Sequence, residues 1–350
     1  METIKPYFLM TSNQLILAAY ISLVSVVVDP RKGISSTILV LYEHFISVLL
    51  LASLAFHFER GKRPELTCSV VFWAFLIGFL QVPVGQLLMT SSHRYITPNF
   101  QSVALLIIPV VVFLIAVISR QEKFQFCKFY HQAKLWGVLM SGAGAFMMVL
   151  LSNPEHPILD RIIGHPTTEV RYVGYVMVGT AVLSLATSNV LMENVAVKYP
   201  AYLTLTTMAN ISGTLQTAAI AVLTERRPSS WRIRWSGNLQ LLAILYGGMM
   251  VSGLAFYMQV WCLHKKGAVF ATGFCPLLII FSFILETYFQ FHHDSCQFIC
   301  SILGAILVIG GLYLFLWAKS KDISLRRIAM GGHIHSIGDS SSEQLLPSKA

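Results

Sequence analysis

The chain has 350 residues, 55% of them hydrophobic and only 12% charged, with a mean hydropathy of +0.66 and a net charge of +9. A soluble domain keeps about a quarter of its residues charged, so most of this surface does not face water and little chain is left over for a soluble domain. The basic excess does not call for nucleic acid, because Lys and Arg gather on the cytoplasmic side of membrane proteins.

A helix crossing a bilayer takes about 20 mainly apolar residues. Ten such segments are predicted, at 8–28, 35–57, 69–91, 101–119, 135–152, 171–193, 202–223, 239–262, 269–290 and 297–317. The reading is an all-α polytopic membrane protein, multi-pass and integral. The first span, preceded by the lone Lys5 and followed by no small-residue cleavage site, is expected to be retained. With both termini cytoplasmic, most of the 25 basic residues fall on the cytoplasmic side, in groups such as Arg60-Lys62-Arg63, Arg120 to Lys134, Lys265-Lys266 and Lys319 to Arg327. The loop "TERRPSSWRIRW" places basic residues on the opposite side and opposes that orientation.

The second span contains "LVLYEHFISVLLL", residues 39–51, with Glu43 and His44 inside it. An ionised carboxylate at a helix centre costs about 2.5–3.5 kcal/mol on insertion scales, and such groups face the bundle interior with a partner. Three readings of Glu43 stay open: it binds a cationic or zwitterionic solute, it carries a proton, or it is structural. His44 lies about 100° around the helix from it. Further polar candidates are Gln86, Asn99 and Gln101 in spans three and four, Thr187, Asn189 and Glu193 in span six, Tyr257 and Gln259 in span eight, and Glu286 in span nine. The expected substrate pathway comprises Glu43, His44, Gln86, Gln101, Asn189, Tyr257 and Gln259, although side chains of these types also bond between packed membrane helices. Gly137, Gly142, Gly144, Gly304, Gly310 and Gly311 are read as close helix contacts.

An internal repeat runs through these spans. "GQLLMTSSHRYITPNFQSVALLIIP" (85–109) and "GLAFYMQVWCLHKKGAVFATGFCP" (253–276) each begin at a Gly in an apolar helix. Each passes a basic hinge, at His93-Arg94 or His264-Lys265-Lys266, and reaches a Pro a few turns into the next helix. Two halves of five spans follow, 1–152 and 171–318, joined by a loop at 153–170 and trailed by a polar, Ser-rich tail at 319–350 expected to be disordered. Five is odd, so the second half enters the membrane from the opposite face. Such inverted repeats are typical of secondary transporters, with the solute site near the midplane. Pro109 and Pro276 either break their helices at membrane depth or merely kink them.

Enzyme signatures are missing: there is no HExxH, and Met250 stands two before Ser252 where a Gly-x-Ser-Gly protease motif needs Gly. The six cysteines form no metal pattern. No enzymatic activity, cofactor or metal is expected. No Lys or Arg lies deep in a predicted span, which disfavours phosphate-bearing solutes.

On the stretch "SGLAFYMQVWCLHKKGAVFATGFCPL" (252–277), on "GAILVIGGLYLFLWAKSKD" (304–322) and on Phe58-Glu59-Arg60, Gln86, Tyr95, Phe100, Pro109 and "RQEK" (120–123), the chain resembles the plant drug/metabolite transporters of the EamA type, specifically the walls-are-thin-related, nodulin-21-like family. The resemblance covers nearly all of residues 1–320. It implies ten helices in two inverted five-helix EamA-type repeats, cytoplasmic termini, residence in the plasma membrane or the vacuolar membrane, and facilitated movement or export of amino acids or auxin. The expected partners are the lipid bilayer and a small-molecule substrate, with a homo-oligomer left open. Three departures stand out. The family usually carries Tyr-Arg-His where this chain has Tyr42-Glu43-His44, it often carries Asn where this chain has Leu106, and the turn "FQFHHDSCQF" is longer than the family's. A negative charge in place of a positive one reverses the local preference for anionic groups. A membrane protein that has lost transport is the remaining alternative.

Overall fold

The computed structural model describes residues 4–27, 35–61, 63–92, 95, 104–105, 107–119, 129–151, 168–226, 231, 238–289, 303–304, 306–318 and 321. Among these residues there is helix and loop but no strand. Helix α1 is Lys5–Val27 and α2 is Ser36–Phe58. Helix α3 begins as Cys68–Phe79, widens into a π-helix over Leu80–Leu87 and closes as Leu88–Ser92. Helices α4, α5, α6 and α7 are Ile108–Ile118, Phe129–Leu151, Thr168–Lys198 and Tyr202–Thr224. Helix α8 is built like α3, with Asn238–Tyr246, a π-helix over Gly247–Ala255, and Phe256–Lys266. Helix α9 comes in two pieces, Ala268–Thr272 and Cys275–Phe289, and α10 is Ile306–Ala318.

Among the described residues, five helices are long and apolar enough to cross a membrane: Lys5–Val24, Ser36–Phe58, Cys68–Ser92, Tyr172–Lys198 and Leu239–Lys266. The other expected spans do not reach that measure among the described residues. Helix α7 is rich in Thr, Ser, Asn and Gly, which lowers its hydropathy. Pro109 sits in the first turn of α4, and Pro276 is the second residue of its segment, after a turn at Gly273–Phe274. Proline is well placed there, since the first N–H groups of a helix have no partner inside it. Both prolines therefore open a fresh helical segment rather than kink a continuous one.

Outside and inside are exchanged relative to a soluble protein. Large apolar side chains such as Phe8, Phe45, Phe72, Leu114, Trp136 and Leu215 are exposed, while Asn13, Gln14, Glu43, His44, Asn189 and Asn210 are buried. That distribution suits a hydrocarbon solvent and would be costly in water.

Helices α2 and α7 form the central pair and run antiparallel. Glu59, the C-cap of α2, reaches the start of α7. Its carboxylate accepts from Leu203 N at 2.9 Å, Thr204 N at 2.8 Å and Thr204 Oγ1 at 2.7 Å. Ala201, the N-cap of α7, has no side chain able to do this, so Glu59 caps the helix from outside and places negative charge at its positive end. At the opposite end the relation is mirrored: Glu225, the C-cap of α7, accepts from the hydroxyl of Ser35, the N-cap of α2. Nearby, in the connection from α6 to α7, burial pushes the Tyr199 phenol above its usual range, keeping it protonated as a donor to the Pro64 carbonyl 3.4 Å away.

Helices α5 and α10 meet on glycine. A Cβ on Gly137 would lie 2.6 Å from Phe315 N, and one on Gly144 would lie 2.7 Å from the Gly304 carbonyl; Gly142, by contrast, has nothing within 4 Å. Helix α5 also starts at Phe129, earlier than the predicted 135, so Lys134 belongs to the helix and is 1% exposed rather than sitting in a loop.

Removing the external cap should be visible in stability. Glu59→Ala is expected to cost about 1–3 kcal/mol, the penalty for leaving buried donors unsatisfied, read as a lower thermal midpoint in detergent. Gly137→Leu is expected to do the same by forcing α5 and α10 apart.

Candidate functional site

Helices α1, α2, α3, α4, α6, α8 and α9 surround a cavity of about 250 Å³. Six carboxamide side chains stand on its wall: Asn13 and Gln14 from α1, Gln81 and Gln86 from α3, Asn189 from α6 and Gln259 from α8. Apolar residues including Met10, Leu17, Ile108, Phe256 and Leu278 fill the space between them. An apolar wall with a few fixed polar groups is the usual build of a small-molecule site.

The π-helix of α3 explains how two glutamines share this wall. Gln81 and Gln86 are five residues apart, which in an α-helix would separate them by about 140°. A π-helix bonds i to i+5 and turns both toward the cavity. Pro83 lies between them within the widened segment. Two serines of α6 hold this segment from behind: Ser184 Oγ donates to the Leu80 carbonyl at 2.7 Å, and Ser188 Oγ donates to Gln81 Oε1 at 2.6 Å. On the far wall Gln259 Nε2 donates to Asn189 Oδ1 at 2.7 Å.

Behind the cavity runs a buried chain of hydrogen bonds. Tyr20 Oη lies 2.7 Å from both carboxylate oxygens of Glu43. Gln86 Nε2 donates to Glu43 Oε2 at 3.3 Å, and Gln86 Oε1 is 2.9 Å from His44 Nε2. His44 Nδ1 is 2.8 Å from Asn210 Oδ1, and Asn210 Nδ2 donates to the Thr206 and Ser252 carbonyls at 3.2 and 3.3 Å. Glu43 itself is 0% exposed. Gly247 of the second π-helix packs directly on it, since a Cβ there would stand 2.5 Å from Glu43 Oε1. The partners of Glu43 and His44 thus come from α1, α3 and α7, and the 100° between the two side chains is bridged by one glutamine.

Of the expected pathway residues, His44, Gln86, Asn189 and Gln259 lie on the cavity wall. Glu43 stands one side chain behind it, bonded to two wall residues. Tyr257 is elsewhere, packed with Leu51, Ala55 and Leu203. Gln101, with Asn99 and Arg94, lies outside the described residues. Lys266 is placed over the ring of Tyr7, 5.9 Å from its centre. The sequence reading passed over Asn13, Gln14, Tyr20, Gln81 and Asn210. Asn13-Gln14 was a visible signal, two adjacent carboxamides inside an apolar span, whereas Gln81 becomes a wall residue only through the π-helix. Among the described residues, no group of three or more His, Cys, Asp or Glu side chains is placed to hold a metal ion.

An apolar exterior around buried polar side chains defines an integral membrane protein. Two WAT1-related proteins of Arabidopsis thaliana are each 30% identical to the chain, over 334 and 333 residues, covering 91% and 92% of it and 81% and 85% of themselves. A third, also 30% identical, spans 332 residues. The chain belongs to the WAT1-related family, plant membrane transporters of the EamA-type drug/metabolite superfamily rather than enzymes. No protein-family model matches it. A solved crystal structure shares the fold at a TM-score of 0.64 and 16% identity, over 91% of this chain and 98% of its own.

Asn210→Leu is expected to lower the thermal midpoint more than Gln259→Leu. It strips His44 of a buried partner, a loss of about 1–3 kcal/mol, whereas the partner of Gln259 still faces the cavity.

Proposed function

We propose that the protein carries amino acids across the membrane by alternating access, with the carboxamide-lined cavity as the solute site. The observation that carries this reading is a pair of orphaned polar atoms on the cavity wall. Among the described residues five buried side-chain polar atoms have no hydrogen-bond partner, and two of them, Asn13 Oδ1 and Ser252 Oγ, belong to residues that line the cavity from facing helices α1 and α8. An acceptor and a hydroxyl left unpaired in a low-dielectric interior cost free energy until something bonds to them. An amino acid supplies an ammonium donor for the first and a carboxylate acceptor for the second. At about 250 Å³ the cavity is near the lower end of the roughly 300–1,000 Å³ usual for ligand sites, a size for a small metabolite.

In this reading the chain forms ten spans in two inverted five-helix repeats, with both termini cytoplasmic. Support comes from the paired features of the two halves: π-helices beginning at Leu80 and Gly247, prolines opening helical segments at 109 and 276, and the mirrored carboxylates Glu59 and Glu225. Each carboxylate ties α2 to α7 at one end only. Opening the pathway to either side breaks one tie and spares the other. The host membrane in this reading is the plasma membrane or the vacuolar membrane.

The test is flux of a labelled amino-acid panel and auxin in oocytes, with surface expression measured for every variant. Wild type is expected to move one or more amino acids. Asn13→Leu and Ser252→Ala are each expected to reduce that flux at least tenfold, while Tyr257→Phe, outside the cavity, leaves it within twofold. Movement of auxin alone would replace the amino-acid reading. Normal surface expression with no flux of any panel member would sink it in favour of a membrane protein that has lost transport.

A further inference from the structure

Three carboxamides on the cavity wall bond to the protein at one end and present the other end to the cavity. A primary carboxamide has one acceptor oxygen and one NH₂ group. Gln259 and Asn189 bond to each other, Nε2 to Oδ1 at 2.7 Å. That leaves the Gln259 oxygen and the Asn189 NH₂, which have no partner among the described residues. The outcome is the same whichever way the two amides are turned. If both are turned over, the free groups exchange owners, and the pair still shows one carbonyl and one NH₂. Gln81 is the third. One end of its amide meets Ser188 at 2.6 Å, next to Asn189 in the chain, and its other end has no partner among the described residues. These free ends are not sealed in protein as Asn13 Oδ1 and Ser252 Oγ are; they face the space that their residues line.

Charge, position and complementarity decide what fits these free ends. Among the described residues on the cavity wall there is no Lys, Arg, Asp or Glu. The nearby carboxylate of Glu43 stands behind the wall, engaged by Tyr20 and Gln86. A charged solute side chain at the Asn189–Gln259 pair would exchange water for amide dipoles with no counter-ion, which is costly. An apolar side chain fails as well, because it would cover the free carbonyl and NH₂ without bonding them. The pair is also close to the orphaned atoms. Asn13 Nδ2 donates to the Ala255 carbonyl at 3.0 Å, so Asn13 stands level with Ala255, and Gln259 is one helical turn further along α8, about 6 Å. An amino acid held by Asn13 and Ser252 has the pair within reach of its side chain. The neutral group that accepts from an NH₂ and donates to a carbonyl beside it is another carboxamide. Its oxygen meets one free end of the pair and its NH₂ the other, closing three amides head to tail, with Gln81 left to bond the hydrogen or lone pair that remains. A hydroxyl can also donate and accept, but in serine and threonine it is held a single carbon from Cα.

We propose that Asn189 and Gln259, with Gln81, recognise a side-chain carboxamide, so that glutamine and asparagine are the preferred solutes and these residues set the preference. This rests on the amino-acid transport reading for the placement of the solute's ammonium and carboxylate. Binding is tested first and without transport. Full-length protein in detergent is heated with glutamine, asparagine, glutamate, methionine or serine. A ligand that binds the folded state raises its thermal midpoint. Glutamine and asparagine are expected to do so at concentrations at least tenfold below those that glutamate, methionine or serine need for the same shift. Equal shifts overturn the proposal. Flux is tested second, in oocytes, as the ratio of glutamine to methionine moved at sub-saturating concentration, with surface expression measured. Wild type is expected to favour glutamine at least tenfold. The double variant Asn189→Leu, Gln259→Leu removes both members of the pair and leaves neither orphaned. It is expected to bring the ratio to about one or below while methionine flux survives. An unchanged ratio, or loss of both fluxes at normal surface expression, overturns the assignment, since a pair that only held α6 to α8 would affect all solutes alike. If the double variant does not reach the surface, the binding series on wild type decides. Flux of amino acids with no preference for glutamine or asparagine overturns the proposal and leaves the transport reading standing. Carboxamide-selective stabilisation without flux upholds the recognition site and sinks the transport reading. Neither stabilisation nor flux overturns both.

Discussion

Everything in this molecule is arranged around the antiparallel contact of α2 with α7. It is held at one end by Glu59 on Leu203 and Thr204, at the other by Glu225 on Ser35, and in the middle by His44 on Asn210. In a membrane, packing two helices gains nothing from the hydrophobic effect, since lipid tails are as apolar as leucine, so polar contacts and close fit have to do it. The pair uses the polar contacts, and the glycine seam between α5 and α10 uses the close fit. The consequence is that α7, too polar to pass as a span by hydropathy, is kept at the centre of the bundle where its Thr and Asn side chains have partners.

The same constraint explains why polar residues of six helices end up beside one another. A carboxamide inside an apolar helix has no solvent to turn to, so it bonds across to a neighbour or faces a cavity. Gln259 bonds to Asn189, Gln81 to Ser188 and Gln86 to both Glu43 and His44. Two of the buried polar atoms left without a partner, Asn13 Oδ1 and Ser252 Oγ, belong to the cavity wall. Its shape is set by backbone as much as by side chains, because both π-helices face it or the chain behind it. Gly247 lets α8 approach Glu43 more closely than any side chain would allow.

Much of this was legible in sequence, and the unread parts have identifiable causes. The apolar runs and the polar residues inside them come from composition and order along the chain. Glu43 was marked as buried and partnered because the cost of a carboxylate in lipid is a property of the residue alone. Its partner Tyr20 was not foreseen, because a tyrosine in an apolar helix gives no sign of which way it points. Tyr257 was singled out by family likeness and repeat position, which carry no information on direction, and the helix turns it toward Leu51 and Leu203. The early start of α5 was hidden by Lys134 itself, which reads as a loop residue unless its burial is known. The π-helices were invisible, since neither Leu80–Leu87 nor Gly247–Ala255 carries a pattern that distinguishes five-residue from four-residue bonding.

Those two π-helices also bear on where the protein came from. A π-helix accommodates one residue more than an α-helix turning through the same contacts, which is what a single-codon insertion into an established helix produces. The segments begin 167 residues apart, at Leu80 and Gly247, the same separation as Pro109 and Pro276. If the halves are copies, one insertion in the ancestral half accounts for both segments, whereas insertion after copying would need the same event twice. The irregular turn is then older than the two-half protein. A single ancestral half would already have held the widened turn that now lines the cavity.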